Sequence, residues 1–404
     1  MRKVLPKRAS GDTILTINGG SSTIRFALYP PCTPLRRGLH GKLERIGLAG
    51  TILQFREANG DRLHTVSAPD DGAESGVNFL VDWLLTRTEC DVLAAVGHRF
   101  VHGMTRTEPA LVTPSLLAEL WRLSPGDPEH LPRELALVEA FQMRCPGLRQ
   151  IVCFDTAFHQ DMPRVARQLP LPRRYTEKGL RRYGFHGLSY AFLMEALARA
   201  GDPAAIAGRV ILMHLGSGAS LAAVRDGRAL DTSMGFTPAG GLLMSTRSGD
   251  LDPGIADYLA RTEQMTNAQF HHLVNHESGL LGVSETSSDM QDLLASEATD
   301  PRAAEAIALF CYQARKWIGA FVAVLGGLDV LVFAGGIGEN ASQIRAKICE
   351  GFDFLGITIL PARNVVHASL ISPDTGTVRV RVMHTDEEIM IAKAVSRIIK
   401  PRSS

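Results

Sequence analysis

The sequence predicts an α/β protein of more than one domain, and three observations carry that expectation. Short apolar or β-branched runs alternate with helical periodicity along the chain. The apolar runs end in glycine-rich or charged turns, as buried strands do when chemistry sits at their C-terminal ends. A hairpin pattern with a Gly/Ser tip occurs twice. At about 150 residues per domain, 404 residues make two or three.

The strands come in order. Thr13–Ile17 runs into Asn-Gly-Gly-Ser-Ser, Val92–Val96 into Gly-His-Arg, and Ile151–Phe154 into Asp155. Val210–Met213 runs into His-Leu-Gly-Ser-Gly, Val330–Phe333 into Ala-Gly-Gly-Ile-Gly-Glu, and Val378–Met383 into His-Thr-Asp-Glu-Glu. Helical spacing covers Ser75–Leu85, Pro114–Leu123, Arg133–Met143, Leu188–Ala200, Asn267–Val274, Pro301–Leu325 and Asp386–Ile399. Ile17-Asn-Gly-Gly-Ser-Ser-Thr23 is similar to Leu215-Gly-Ser-Gly-Ala-Ser220, and each precedes a second apolar strand, Ile24–Leu28 or Leu221–Val224. These are either two unrelated hairpin turns or a duplicated fold whose tips cradle phosphate through freed backbone N–H groups. No low-complexity linker separates the halves, so they are expected to meet at a cleft.

Composition excludes several classes. The chain is 45% hydrophobic and 21% charged, which is globular rather than disordered. Forty-three Lys and Arg against 42 Asp and Glu leave no field for nucleic acid or an anionic membrane. An anionic ligand must therefore be held by a few local cations. The cysteines at 32, 90, 145, 153, 311 and 349 form no C-x-x-C pair and read as reduced thiols of a cytoplasmic protein. Residues 1–12 lack an apolar segment behind their basic residues and read as a flexible tail. No run of about 18 apolar residues is present, so no membrane span is expected.

Chemistry-bearing residues cluster at the strand ends. Val96-Gly-His-Arg-Phe-Val-His-Gly103 sets Arg99 beside two histidines just after a strand, and Arg247 lies in the polar turn Ser245–Pro253. Each Arg is either a solvated charge or a fork for carboxylate or phosphate. Asp155 either caps the next helix or is a catalytic or metal-orienting carboxylate. His186, between Phe185 and Gly187, is either packed or functional; His214 precedes Gly216 and Gly218 and is aimed at what that tip holds. Ala334-Gly-Gly-Ile-Gly-Glu-Asn340 would let a nucleotide approach the backbone, although neither G-x-G-x-x-G nor a P-loop occurs. Asp386, Glu387 and Glu388 open the last helix, where they satisfy its positive end or hold Mg²⁺ through water.

Together these segments resemble the acetate kinase family. The resemblance rests on Asn18-Gly-Gly-Ser-Ser-Thr-Ile-Arg25, Gly97–Gly103, Phe154-Asp-Thr-Ala-Phe-His159, Arg182-Tyr-Gly-Phe-His-Gly187, His214–Ser220, Thr232–Pro238, Thr246–Asp250, Gly335–Glu339 and Thr385–Glu388, in order from about Thr13 to Ile398. It implies two similar ribonuclease H-like (actin-like ATPase) domains with an interdomain cleft, in a homodimer. The N-terminal domain would be 13–155 plus the C-terminal helix 387–400, and the nucleotide-binding domain 156–386. The implied reaction is reversible transfer of the ATP γ-phosphoryl group to acetate, with Mg²⁺ or Mn²⁺, giving acetyl phosphate and ADP. The implied alternatives are a propionate or butyrate kinase and a nucleotide-binding homologue with little activity.

The resemblance also implies residue roles. Arg99, Asp155, His186 and Arg247 would be catalytic: the two Arg as clamps on the acyl carboxylate and the transferring phosphoryl group, His186 against its equatorial oxygens. A carboxylate acceptor is already ionised at pH 7, so Asp155 would orient Mg²⁺ rather than remove a proton. Asn18 and Glu387 would place the metal. Val101, Phe185 and Pro238 would form the acyl pocket. Arg25, His214, Gly216, Ser217, Gly218, Asp289, Met290, Gln291, Gly335, Gly336, Ile337, Gly338 and Asn340 would lie along the nucleotide.

The chain also departs from the family pattern. In Ser124–Pro132, Asp127 falls where the family has an active-site His, and Gly126 where a Leu lines the acyl pocket; His130 is a candidate to take over the role of that His. Arg25 and Thr23 stand for Lys and Ser, Ser217 for Asn, and the adenosine segment Ser288-Asp-Met-Gln291 ends without the usual Arg.

Overall fold

A single strand pattern is used twice. The computed structural model describes residues 11–20, 23–46, 49–58, 60–69, 72–88 and 92–399. Most of the expected tail, tip residues Ser21 and Ser22, Cys90 and Lys400 lie outside the described residues. The chain divides into two units, Met1–Ala157 with Asp386–Ser404, and Phe158–Thr385.

The first unit holds an eight-stranded sheet: β1 Thr13–Gly19, β2 Thr23–Tyr29, β3 His40–Glu44, β4 Ile52–Arg56, β5 His64–Ser67, β6 Leu93–Phe100, β7 Ala110–Leu111 and β8 Gln150–Phe154, in spatial order 5-4-3-2-1-6-8-7. The second holds β9 Arg209–Leu215, β10 Ala219–Arg225, β11 Arg228–Thr232, β12 Val330–Ala334 and β13 Arg379–Val382, in order 11-10-9-12-13. In both, the first strand pairs antiparallel with the second and parallel with the next crossover strand. The stretch 3-2-1-6-8 thus has the same order and senses as 11-10-9-12-13. The duplicated hairpin read from the sequence is a duplicated half-sheet.

Burial explains the strands. In the first unit Leu15, Ile17, Phe26, Leu43 and Leu53 pack on Leu80, Val81 and Leu84 of the Ala73–Arg87 helix and on Leu137 and Phe141 of the Leu131–Arg144 helix. Each fully buried side chain of this kind is worth about 1.5–3 kcal/mol. The opposite face takes the C-terminal helix Glu387–Ile399. A Cβ on Gly97 would lie 2.5 Å from Ile391 Cγ2, so only glycine admits that helix. In the second unit Val210, Leu212, Val330 and Val332 pack on Tyr190, Leu193 and Leu197 of the Gly187–Arg199 helix.

The Pro114–Leu123 and Pro301–Leu325 helices have the expected bounds, because proline starts them and Thr113 Oγ1 and the Asp300 side chain cap them. Pro301–Leu325 is long and apolar enough to cross a membrane by length and composition; here its buried face, including Phe310, Ala314 and Ile318, makes it a core helix against the second sheet. The Asn267 helix ends at His272 and continues as a π turn through Leu273–Glu277, a change that apolar spacing does not reveal. Cys32, Cys153, Cys311 and Cys349 are free thiols, but Cys145 is disulfide-bonded, contrary to the reading of all cysteines as reduced.

Candidate active site

The first unit gathers Asn18, Arg99, Asp155 and Glu387 into one network. Arg99 lies within β6, not after it, because parallel pairing with β8 runs on to Phe100–Phe154. Its Nε and Nη2 donate to Asp155 Oδ2 at 3.0 and 2.5 Å, and its Nη1 donates to Asn18 Oδ1 and the Gly19 carbonyl at 3.2 and 3.3 Å. Asn18 Nδ2 then donates to Glu387 Oε2 at 2.8 Å and Glu388 Oε1 at 3.1 Å. Burial opposes the Arg99 charge, but Asp155 and Glu387 outweigh it, and the guanidinium is held above its ordinary pKa. Burial and the adjacent Glu387 charge push the Glu388 carboxyl up. Asp155 sits at the end of β8, where a short 3₁₀ helix begins.

Three buried groups lie behind this network, Glu134, Asp127 and His130, and of these the sequence reading missed Glu134. Glu134 Oε1 accepts the Val101 N–H at 2.9 Å, and Glu134 Oε2 has no hydrogen-bond partner among the described residues. Burial first, then the Asp127 charge, hold Glu134 well above the carboxylate range. Asp127 is not a bare charge at the family's His position, since its Oδ1 meets His130 Nδ1 at 2.9 Å and both residues are buried. An Asp and a His three residues apart before a helix were the available signal.

In the second unit the predicted residues converge on the β9–β10 tip. His186 holds a left-handed backbone, φ 58°, at the start of the Gly187–Arg199 helix. Its Nδ1 shares a 2.8 Å hydrogen bond with Ser220 Oγ, and its ring stacks on His214 at 4.2 Å between centroids. His214 Nδ1 meets Ser189 Oγ at 2.8 Å. A Cβ on Gly218 would lie 3.3 Å from His186 Nε2 and 3.6 Å from Arg247 Nη1, so both side chains border the same small space. A Cβ on Gly216 would lie 3.9 Å from the Gly336 nitrogen, which brings the Gly335–Asn340 helix to the tip. Gly335 has φ +79°, and a Cβ there would meet Leu215 O at 2.7 Å. The Ser217 carbonyl accepts the Ser245 N–H at 3.1 Å, tying the tip to the Arg247 turn.

The remaining predicted residues make contacts of their own. Asp289 caps its own helix by accepting the Gln291 N–H at 2.8 Å, and Met290 is buried. Asn340 Nδ2 donates to Gly336 O at 2.9 Å, and Ile337 belongs to the same short helix with Gly338. Val101, Phe185 and Pro238 are buried. Arg25 is exposed on β2, opposite Asn18. Sequence reasoning missed two supports. Fully buried Arg345 donates to the Gly338 and Glu339 carbonyls at 2.8 and 2.9 Å, holding the glycine segment. His159 Nε2 donates to Phe185 O at 3.0 Å, and burial lowers its pKa to about 4, so a neutral imidazole fixes the residue before His186.

Two similar half-sheets, each presenting charged groups at the ends of its central strands, are the plan of an actin-like phosphotransferase. Comparison with known proteins agrees: residues 13–393 match the model of the Acetokinase family. An acetate kinase of Rhodopseudomonas palustris (strain TIE-1) is 42% identical over 96% of this chain and 98% of its own. A propionate kinase of Citrobacter rodentium is also 42% identical, over 95% and 96%. The crystal structure of Porphyromonas gingivalis acetate kinase superposes with TM-score 0.84 at 35% identity, covering 96% of this chain and 100% of that one. A propionate kinase from Francisella tularensis gives 0.87 at 32% identity, covering 95% and 98%. The chain belongs to the acetokinase family and has its actin-like ATPase fold.

Proposed function

We propose that this protein transfers the γ-phosphoryl group of ATP to the carboxylate of a short fatty acid, with acetate and propionate both accepted. The observation that carries the reading is the crowding of His186 Nε2 and Arg247 Nη1 around Gly218. Family membership supplies the reaction class, a phosphotransferase with a carboxyl acceptor, acting on acetate-type acids and nucleotide.

The acceptor is ionised at pH 7, so no base is needed and the barrier falls through positioning and charge neutralisation. Arg247 and His186 stabilise the phosphoryl oxygens. Arg99 neutralises the acyl carboxylate, and Asp155 holds that guanidinium at the end of β6. Val101, Phe185 and Pro238 contact the acyl tail. Gly216, Ser217, Gly218 and Gly335–Gly338 take the nucleotide, with its adenosine end toward Asp289–Gln291.

The donors fit Mg²⁺, a hard cation that takes one or two carboxylates and keeps its waters. Glu387 and Glu388 share one Asn18 amide, a concentration of negative charge that a divalent ion relieves. Asn18, Asp155 and Glu387 would hold it, and when bound it supplies positive charge against the phosphate oxygens. A homodimer fits the Gly254–Thr262 helix, which buries no residue and leaves Ile255 and Tyr258 exposed. Dependence on ATP fits a cytoplasmic site of action.

Gly126, in place of a pocket-lining Leu, favours a wider acyl pocket, so propionate or butyrate should be used at least comparably to acetate. Trapping acyl phosphate with hydroxylamine, in ATP, Mg²⁺ and each acid in turn, tests both claims. No trapped product with any acid refutes the kinase reading. A kcat/KM for acetate more than about tenfold above propionate refutes the wider pocket.

A further inference from the structure

The first sheet carries a second cationic concavity, next to the Asn18 end of the Arg99 network. Cross-strand pairing puts Asn18, Arg25, Lys42 and Gln54 in one row, and Thr16, Ala27, His40 and Arg56 in the next row of the same face. There a cavity of about 170 Å³ is lined by Arg25, Arg37, His40, Lys42, Arg56 and Glu388, among others. Five basic side chains thus face one acid.

Two of these cations are already committed: Arg37 to Asp386 at 2.5 Å and Lys42 to Glu44 at 2.7 Å. The other two guanidinium groups have no close ion pair, although the Arg25 charge acts on Glu388 and favours its ionised form. Among the described residues neither Arg25 nor Arg56 has a carboxylate within ion-pair distance, and Arg56 Nε gives only one hydrogen bond, to the Asp61 carbonyl at 3.3 Å. Their strands are adjacent to β3, so the two forks flank Lys42 and His40 from both sides. His40 Nδ1 is engaged by Gly38 O at 2.8 Å, leaving Nε2 as the free ring nitrogen.

We infer that this cavity binds a small anion carrying two or more phosphate or carboxylate groups. Guanidinium forks bind both group types in a bidentate manner, and two forks on separate strands call for two such groups in one ligand. The volume is below the roughly 300–1,000 Å³ of pockets for larger organic ligands, which suits a small polyanion better than a whole nucleotide. Glu388, which also accepts from Asn18, is the one lining side chain that ties this cavity to the metal-placing network.

Isothermal titration of the whole protein tests this without reference to catalysis. Inorganic pyrophosphate serves as the phosphate probe and tricarballylate as the carboxylate probe, both without Mg²⁺ and with excess ADP present. The comparison is between the natural protein and a Lys42→Gln/Arg56→Gln variant, Lys42 being half-buried and Arg56 exposed. The expected result is one equivalent bound by the natural protein and at least tenfold weaker binding by the variant, with unchanged Tm. The tighter probe names the group class, and binding should weaken steeply with salt. Equal affinity in the variant, or no binding of either probe at millimolar concentration, overturns the inference. Should the variant unfold, Lys42→Arg alone, which keeps every charge and both forks, must bind at near-natural affinity; loss of binding there also overturns it.

Discussion

Glu134 Oε1 accepts the backbone N–H of Val101 at 2.9 Å, so a helical carboxyl holds the chain two residues beyond Arg99. That bond tolerates a neutral acid, and burial together with the Asp127 charge keeps Glu134 well above its ordinary pKa.

Stability should register that proton. A carboxyl raised in the folded state binds a proton that the unfolded chain releases, so its contribution is complete below the unfolded pKa and is lost as pH rises through the folded one. Glu134→Gln keeps an acceptor and removes the titration. Its Tm relative to the natural protein should therefore rise as pH climbs above the ordinary glutamate range, from pH 5 toward pH 8. A constant difference across that range would mean Glu134 is ionised throughout. Glu134→Ala leaves the Val101 N–H unmet and should cost about 1–3 kcal/mol at every pH.

His159 has the opposite sign. Burial lowers its pKa to about 4, so the unfolded chain binds the extra proton and stability is lost as pH falls from the usual histidine value toward 4. His98, buried beside Gln150, is lowered to about 4 in the same way. Each contributes on the order of 3 kcal/mol at neutral pH that acid removes. His159→Gln should flatten the Tm profile between pH 7 and pH 5; an unaltered slope rules out the neutral imidazole.

Gly218→Ala places its methyl 3.3 Å from His186 Nε2 and 3.6 Å from Arg247 Nη1. The backbone there is not strained, so Tm should hold, while kcat should drop at least about tenfold because the new methyl occupies the space meant for phosphate. Full activity would place the phosphoryl group elsewhere. Gly335→Ala makes the useful contrast: at φ +79° and against the Leu215 carbonyl it should destabilise the fold by about 2 kcal/mol or more, visible in urea unfolding.

Arg247→Ala removes the guanidinium and should cost about 3–5 kcal/mol of transition-state stabilisation, roughly 10²–10⁴ in kcat, with Tm nearly unchanged. A variant retaining more than a tenth of natural turnover would dismiss Arg247 from the reaction.

What the sequence disclosed follows from how local each signal is. Proline and cap residues located Pro114–Leu123 and Pro301–Leu325, because helix starts are decided within four residues. The central strands were legible from their unbroken apolar runs. Strands β3, β4 and β5 were not, since half of each faces outward and carries Lys42, Gln54 or Thr65. In the candidate site, Asn18 and Arg99 stood out beside glycines at strand ends, Asp155 by following an apolar run, His186 by its place between Phe185 and Gly187, and Arg247 by its polar turn. Arg345 and Glu134 did not, because each reads as an ordinary helical charge until the fold buries it.

Asn18 and His214 are each the next-to-last residue of the first strand in their half-sheet, facing Arg25 and Ser220 across their hairpins. Doubling an ancestral unit would give the protein two copies of one backbone address, and the two copies have taken different tenants. One carries an amide that gathers acids, the other an imidazole stacked in a polar cradle. Because strand order alone fixes that address, each lobe can be re-specialised in evolution without redrawing the scaffold of its sibling.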